Sequence, residues 1–434
     1  MEVPDVSYAQ SGDVSIAYQA VGDGPQDLVF LPFLANIYTL WQAPHFAEFA
    51  QRLGTGRRLI VVNPRGVGLS DRPRGFTVES RMDDIRAVMD DAGSERTALL
   101  GMAEQGATCA VFAASYPDRV ERLILYNPFG RFVPESDERD QALAQVRRDR
   151  EQWGRRDFLE NMARSINPQW ADDSDYVDWF VWHHRLTASP AAWVEFRRMQ
   201  IELDITDVLS AIRVPTLLIS KEFIGREGES VAKLIRNCEH VVVPGRGGAA
   251  MENDHTIDAI EAFLAGAKQQ RIPDTVLATV LFTDLVGSTD RGVELGDRAW
   301  RELLEQHNAA VRRELERHRG VELDTAGDGF FARFEGPARA IACAGAIIEQ
   351  VSQLGLEMRA GIHTGECERV GEKVAGLAVN VGARVSAAAA SGEVLVSGTV
   401  KDLVAGSGIE FEDRGQHELK GVPGEWRLYS VVDA

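Results

Sequence analysis

The chain has 434 residues, 44% of them apolar and 26% charged, and a formal net charge of −19. Its length exceeds one ordinary domain and predicts two, and its apolar content predicts buried cores in both. The acidic balance excludes nucleic acid as a primary partner, because phosphate backbones are bound through basic surface.

The first residues, MEVPDVSYAQSGD, are acidic and polar, without the basic and apolar regions of a secretory leader. No later run approaches the roughly 18 apolar residues of a membrane helix. Both features predict a cytoplasmic protein that does not enter a membrane. From Val14 to about Phe263, short apolar runs alternate with helical stretches. The runs at 27–31 (DLVFL), 58–62 (RLIVV), 97–101 (TALLG), 122–126 (RLILY) and 215–219 (PTLLI) predict strands of a mostly parallel sheet covered on both faces. Between about Pro134 and Glu202 the rhythm breaks. This segment is helical and charged and holds Trp153, Trp170, Trp179, Trp182 and Trp193, five of the chain's eight tryptophans, so a cap inserted over the sheet is predicted. Its neighbouring His183 and His184 point to different sides of a helix and are expected at the surface or in packing. The polar segment 267–276 predicts a linker, with domains at 1–266 and 277–434.

Beyond the linker, a strand is predicted at 279–283 and a helix from Asp297 to about His318, with Trp300, Leu303, Leu304, Val311 and Leu315 on one stripe. Two short strands flank Gly327–Gly329, a helix starts at Pro337, and a strand follows at 358–363. The order βαββαβ predicts a ferredoxin-like α+β sandwich. The four cysteines, Cys109, Cys238, Cys343 and Cys367, form no CxxC pair, so neither a disulfide nor a thiolate zinc site is expected.

Two aspartates sit in glycine-rich settings suited to close approach by a ligand: Asp284 in VLFTDLVGST and Asp328 in TAGDGFFARF. Carboxylates so placed can hold two cations that serve the attacking and leaving oxygens of a phosphoryl transfer. Gly287, Ser288 and Thr289 supply backbone N–H groups near a helix start, suited to phosphate oxygens. Singly, each aspartate reads as a helix cap or a hairpin turn. Taken in order, FTDLVGST, GDGFFARF, MRAGIHTGE, NVGAR and ELKG resemble the class III adenylate and guanylate cyclase catalytic domains over 277–431.

The resemblance implies a phosphorus–oxygen lyase that converts a nucleoside triphosphate to a 3′,5′-cyclic nucleotide and pyrophosphate for signalling. Asp284 and Asp328 match its metal-binding aspartates, with the Leu285 carbonyl as a further ligand for two Mg²⁺ or Mn²⁺ ions. Asn380 and Arg384, four apart on one helix face, match the pair that orients the ribose and neutralises the α-phosphate. Lys420 matches the lysine that binds the terminal phosphates. The family shares each site between two protomers, which implies a homodimer. Two positions that read the base depart from the adenylate pattern of lysine and aspartate: they hold Asp324 and Leu377. A carboxylate suits a donor edge such as guanine, and Leu377 offers no hydrogen bond, so relaxed selectivity between ATP and GTP is expected.

The first domain resembles the α/β-hydrolase family over roughly 12–265, through NPRGVGLSD and the run from TALLG to LILYNP. In that family a Gly-x-Ser-x-Gly turn follows the strand. Here it reads Gly101-Met102-Ala103-Glu104-Gln105, so Ala103 stands at the nucleophile. Ile224 stands near the acid position, with Glu222 close by, and Gly248 stands at the histidine position, with His255 too far along to replace it. Triad hydrolysis is therefore not expected. This leaves a pseudoenzyme domain with a regulatory role and an unknown small ligand. Three further readings stay open: a non-catalytic regulator that dimerises or binds nucleotide, a pyrimidine nucleotide cyclase, and a working serine-type hydrolase.

Overall fold

The computed structural model describes residues 3–73, 75–128, 136–245, 254–266, 275–370 and 373–433. The chain divides into two compact units, Met1–Pro273 and Asp274–Ala434.

In the first unit, strands β1 (Ser7–Ser11), β2 (Val14–Val21), β3 (Asp27–Leu31), β4 (Arg58–Val62), β5 (Thr97–Met102), β6 (Val120–Tyr126), β7 (Thr216–Lys221) and β8 (Cys238–Val243) form one sheet. Their order is β1-β2-β4-β3-β5-β6-β7-β8. β2 pairs antiparallel with β1 and β4, and the remaining neighbours are parallel. The predicted apolar runs are β3 to β7. They lack alternation because helices cover both faces; every residue of β5 is buried. The helices are α1 (Ile37–Leu40), α2 (Phe46–Gly54), α3 (Val78–Asp91), α4 (Glu104–Ser115), α5 (Ser136–Gln152), α6 (Arg156–Ile166), α7 (Ser174–Thr187), α8 (Pro190–Glu202), α9 (Gly225–Leu234) and α10 (Asp254–Ala265). The predicted cap is α5 to α8. Its turns have local causes: the Asp173 carboxylate accepts from two N–H groups at the start of α7, and Ser189 caps α8, which opens on Pro190.

Of the predicted linker, 267–274 lie outside the described residues, and Thr275 and Val276 already belong to a strand. The second unit runs β9 (Thr275–Leu285), α11 (Ser288–Leu295), α12 (Asp297–Arg317), β10 (Val321–Ala326), β11 (Gly329–Phe334), α13 (Pro337–Gln353), β12 (Met358–Val370), β13 (Lys373–Ala375), α14 (Leu377–Ala388), β14 (Val394–Ser397), α15 (Gly398–Leu403), β15 (Glu410–Glu418) and β16 (Glu425–Asp433). The strand order is β10-β11-β9-β12-β14-β16-β15, with β13 on β12, and mixes parallel and antiparallel pairs. One face packs Leu281, Leu285, Phe330, Met358 and Ile362 against α12 and α13. The other face carries α14. There a Cβ on Gly361 would come within 2.0 Å of the Ser386 backbone, and one on Gly382 within 2.6 Å of Val280. Only glycine at both positions lets the helix lie this close to the strands.

Candidate active site

Asp284 is the penultimate residue of β9. Antiparallel pairing of β9 with β11 sets Thr283 opposite Phe330, so the Gly-Asp-Gly turn that precedes Phe330 comes alongside the end of β9. Gly327 takes φ +66° in that turn, a conformation that disfavours side chains. The fold thus brings Asp284 and Asp328 to one end of adjacent strands. Asp284 shares its face with Val280 and Phe282, towards α14, whereas the Leu285 side chain is buried on the opposite face.

The two carboxylates differ in their surroundings. Asp284 lies opposite Arg359 of β12, whose Nη2 is 2.6 Å and Nε 3.2 Å from its Oδ2. Nη1 of the same arginine reaches the Ala387 carbonyl of α14 at 3.3 Å. Asp328 is different. Its Oδ2 is buried and has no hydrogen-bond partner among the described residues. His307 of α12 is fully buried nearby, its ring 5.8 Å from Phe330. Burial pushes its pKa down, opposed by a hydrogen bond with Asn308 and by the charge of Asp328. Sequence reading assigned no role to Arg359 or His307. Arg359 stands inside the MRAGIHTGE motif, but only the strand register shows what it faces.

An ionised oxygen taken out of water without a partner is costly. A cation at Asp328 would remove that cost, so the residues fit a divalent ion. Among the described residues no group of three His, Cys, Asp or Glu side chains could hold a metal.

Asn380 and Arg384 are exposed on α14, on the side away from buried Val381, Gly382 and Val385. Neither bonds to an aspartate among the described residues. Leu377 opens α14 and is 51% exposed. Asp324 is exposed on β10, and its Oδ1 accepts from the Thr325 N–H at 3.2 Å. These two flank one buried cluster containing Leu323 and Ala378, beside the stacked rings of Phe282 and Phe331 (centroids 4.5 Å apart). Gly287 takes φ +69° before α11, which Ser288 opens; the Thr289 side chain is outside the described residues. Lys420 is exposed in the turn between β15 and β16.

In the first unit, Ala103 joins β5 to α4 with φ +50° and ψ −122°, a strained conformation for any side chain. The strand–turn–helix shape of a nucleophile elbow is therefore present with a methyl group at its tip. Ala103 and Ile224 line a cavity of about 610 Å³ under the cap. Gly248 lies outside the described residues. Glu222 is exposed, and so is His255, the second residue of α10. The surface placement expected as one option for His183 and His184 is corrected: both are buried, at 2% and 5% exposure, and both line the cavity. α7 is packed on more than one side, so adjacent positions can both be interior. Trp179 and Trp193 also line it, and Trp153 stacks on Trp193 at 4.3 Å. Next to Ala103, burial pushes the Glu104 carboxyl up to about 8.

The model of the adenylate and guanylate cyclase catalytic domain matches residues 271–433, and that of the alpha/beta hydrolase fold matches 28–206. An uncharacterized protein of Mycobacterium tuberculosis is 30% identical over 167 residues, 37% of this chain and 58% of that protein. The chain thus spans a little over half of that relative's length. A thermophilic esterase from Thermogutta terrifontis matches 60% of this chain and 98% of its own at 23% identity, with a TM-score of 0.52. The adenylyl cyclase CyaB of P. aeruginosa matches 37% of this chain and 97% of its own at 25% identity, with a TM-score of 0.35. No helix among the described residues is long and apolar enough to cross a membrane. The chain joins a domain of the α/β-hydrolase fold to a catalytic domain of the adenylate and guanylate cyclase family.

Proposed function

We propose that the C-terminal domain cyclises nucleoside triphosphates to 3′,5′-cyclic nucleotides with release of pyrophosphate, and that the hydrolase-fold domain is catalytically silent and regulatory. The observation that carries the first part is the buried, unpartnered Oδ2 of Asp328 beside the strand end that holds Asp284. No hydrogen bond among the described residues compensates that oxygen, and a bound cation would.

The reaction is an in-line attack of the ribose 3′-oxygen on the α-phosphorus, and the protein's task is positioning and charge neutralisation. Asp284, Asp328 and the Leu285 carbonyl would hold two Mg²⁺ or Mn²⁺ ions, which when bound neutralise charge on the attacking and leaving oxygens. The free N–H groups at Gly287, Ser288 and Thr289 take phosphate oxygens. Asn380 and Arg384 project from the exposed face of α14, where a second copy can present them to the aspartates. In a two-fold homodimer each site then draws its carboxylates from one subunit and its ribose-orienting Asn and phosphate-neutralising Arg from the other. Lys420, exposed on its hairpin turn, takes the terminal phosphates. Asp324 accepts from a donor edge and favours guanine, while Leu377 adds no polar discrimination.

The test is product formation by the full-length protein with Mn²⁺ or Mg²⁺ and each of ATP, GTP, CTP and UTP. Cyclic products from more than one triphosphate, with GTP ahead of ATP, are expected. Asp328→Ala should lower them by at least about 10²-fold without loss of folded protein. Absence of any product, or product that survives Asp328→Ala, overturns the proposal.

A further inference from the structure

The cyclase chemistry does not use the cavity of the hydrolase-fold domain, which lies within the usual size of a small-molecule site. We infer that it binds a neutral aromatic molecule carrying a hydroxyl or N–H donor, held by the free ring nitrogen of His184. The inference rests on the reading of this domain as a ligand module without hydrolytic chemistry.

The walls are aromatic: Phe33, Phe158, Trp179, Phe180 and Trp193 all line the cavity and suit a flat ring. The polarity of His184 follows from its bond. His184 Nδ1 is 2.9 Å from the Phe180 carbonyl oxygen. A carbonyl only accepts, so Nδ1 carries the proton. In a neutral imidazole protonated at Nδ1, Nε2 is an acceptor on the far edge of the ring. Burial keeps both rings neutral, taking His184 down to about 4 and His183 well below its ordinary value. Neither Nε2 has a partner among the described residues.

Several other polar groups on the lining are committed within the fold, while the Trp193 Nε1–H is buried without a hydrogen-bond partner among the described residues. Asn127 Oδ1 accepts from the Lys221 N–H at 2.9 Å, Asn167 donates to the Tyr176 hydroxyl, and Gln200 accepts from Arg197. Arg197 donates to Gln200 and interacts with Glu104 and Asp149. The His184 Nε2 lone pair favours a ligand that donates.

The experiment is a titration of the intact protein with 2-naphthol, naphthalene and 2-naphthoate, read by quenching of tryptophan fluorescence. This readout does not pass through cyclisation, so failure of the cyclase proposal and failure of this one are distinguishable. Saturable quenching is expected, with 2-naphthol binding about tenfold more tightly than either of the others, the margin of one good hydrogen bond. His184→Phe, checked for an unchanged melting temperature, should reduce 2-naphthol to the affinity of naphthalene and leave naphthalene where it was. Equal binding of naphthol and naphthalene by the unaltered protein, tightest binding of naphthoate, or no saturable quenching by any of the three overturns the inference.

Discussion

Ala103 and Asp328 both sit at tight turns beside a strand, and the two turns retain different things. At Ala103 the backbone keeps a strained left-handed shape, costing on the order of 1–3 kcal/mol, although no nucleophile is there to use it. The shape is held by its neighbours. Ala103 N–H donates to the Tyr126 carbonyl at 2.9 Å, its own carbonyl accepts from Gly106, and a Cβ on Gly101 would come within 2.7 Å of Gly106. The turn is part of how α4 packs on β5, so its shape does not depend on a nucleophile. At Asp328 the reverse holds. No packing requires a carboxylate there, and its buried oxygen has no partner among the described residues. Geometry that belongs to the core explains itself; a buried carboxylate oxygen without a hydrogen bond among the described residues does not.

The largest test of this contrast concerns the shared site. Asp284→Ala and Arg384→Ala should each lower cyclisation by at least about 10²-fold. Isolated mixed dimers of the two variants should regain one working site of two, about half the wild-type rate per dimer. Silence in well-formed mixed dimers would break the assignment of carboxylates and arginine to different subunits. A smaller effect is expected behind the elbow. Burial raises the Glu104 carboxyl from 4.5 to about 8, so the folded chain keeps a proton that the unfolded chain gives up between those values. This group's contribution is therefore most favourable below the lower value and is lost as pH rises through the upper one. Glu104→Gln should flatten the fall in melting temperature from about pH 5 to pH 8; an unchanged slope would show that the carboxyl is not held protonated. The smallest effect is expected at the elbow itself. Ala103→Ser restores a hydroxyl on a ready turn, but Ile224 supplies no carboxylate, so hydrolysis of 4-nitrophenyl acetate should stay at background. A burst of nitrophenolate would mean that the domain still holds a working base.

Much of this was legible beforehand. β3 to β7 announce themselves as apolar runs because a doubly covered strand leaves no polar positions, and the paired aspartates are legible from glycine-rich motifs in a fixed order. The hairpin of β1 and β2 was not, since an edge strand such as SYAQS is largely exposed and carries little apolar signal. β15 was equally silent, with EFEDRGQHE exposed or half-buried throughout. The role of Arg359 depends on which residue it faces across a ladder, and that of His183 and His184 on a helix packed on several sides. Neither relation is local in sequence.

β9 and β12 run together for eleven consecutive pairs, from Thr275 opposite Glu368 to Leu285 opposite Met358. In such a ladder the side a residue faces is a matter of parity. A single-residue deletion within β9 would swing Asp284 from the side of α14 to the side of α13, leaving its carboxylate on the face that packs Met358 and aiming Leu285 where the acid had been. The segment before α11, where Gly287 has open space around it, can absorb changes of length without that penalty. The odd-or-even count along one strand is thus as much a part of this site as the chemical identity of its residues.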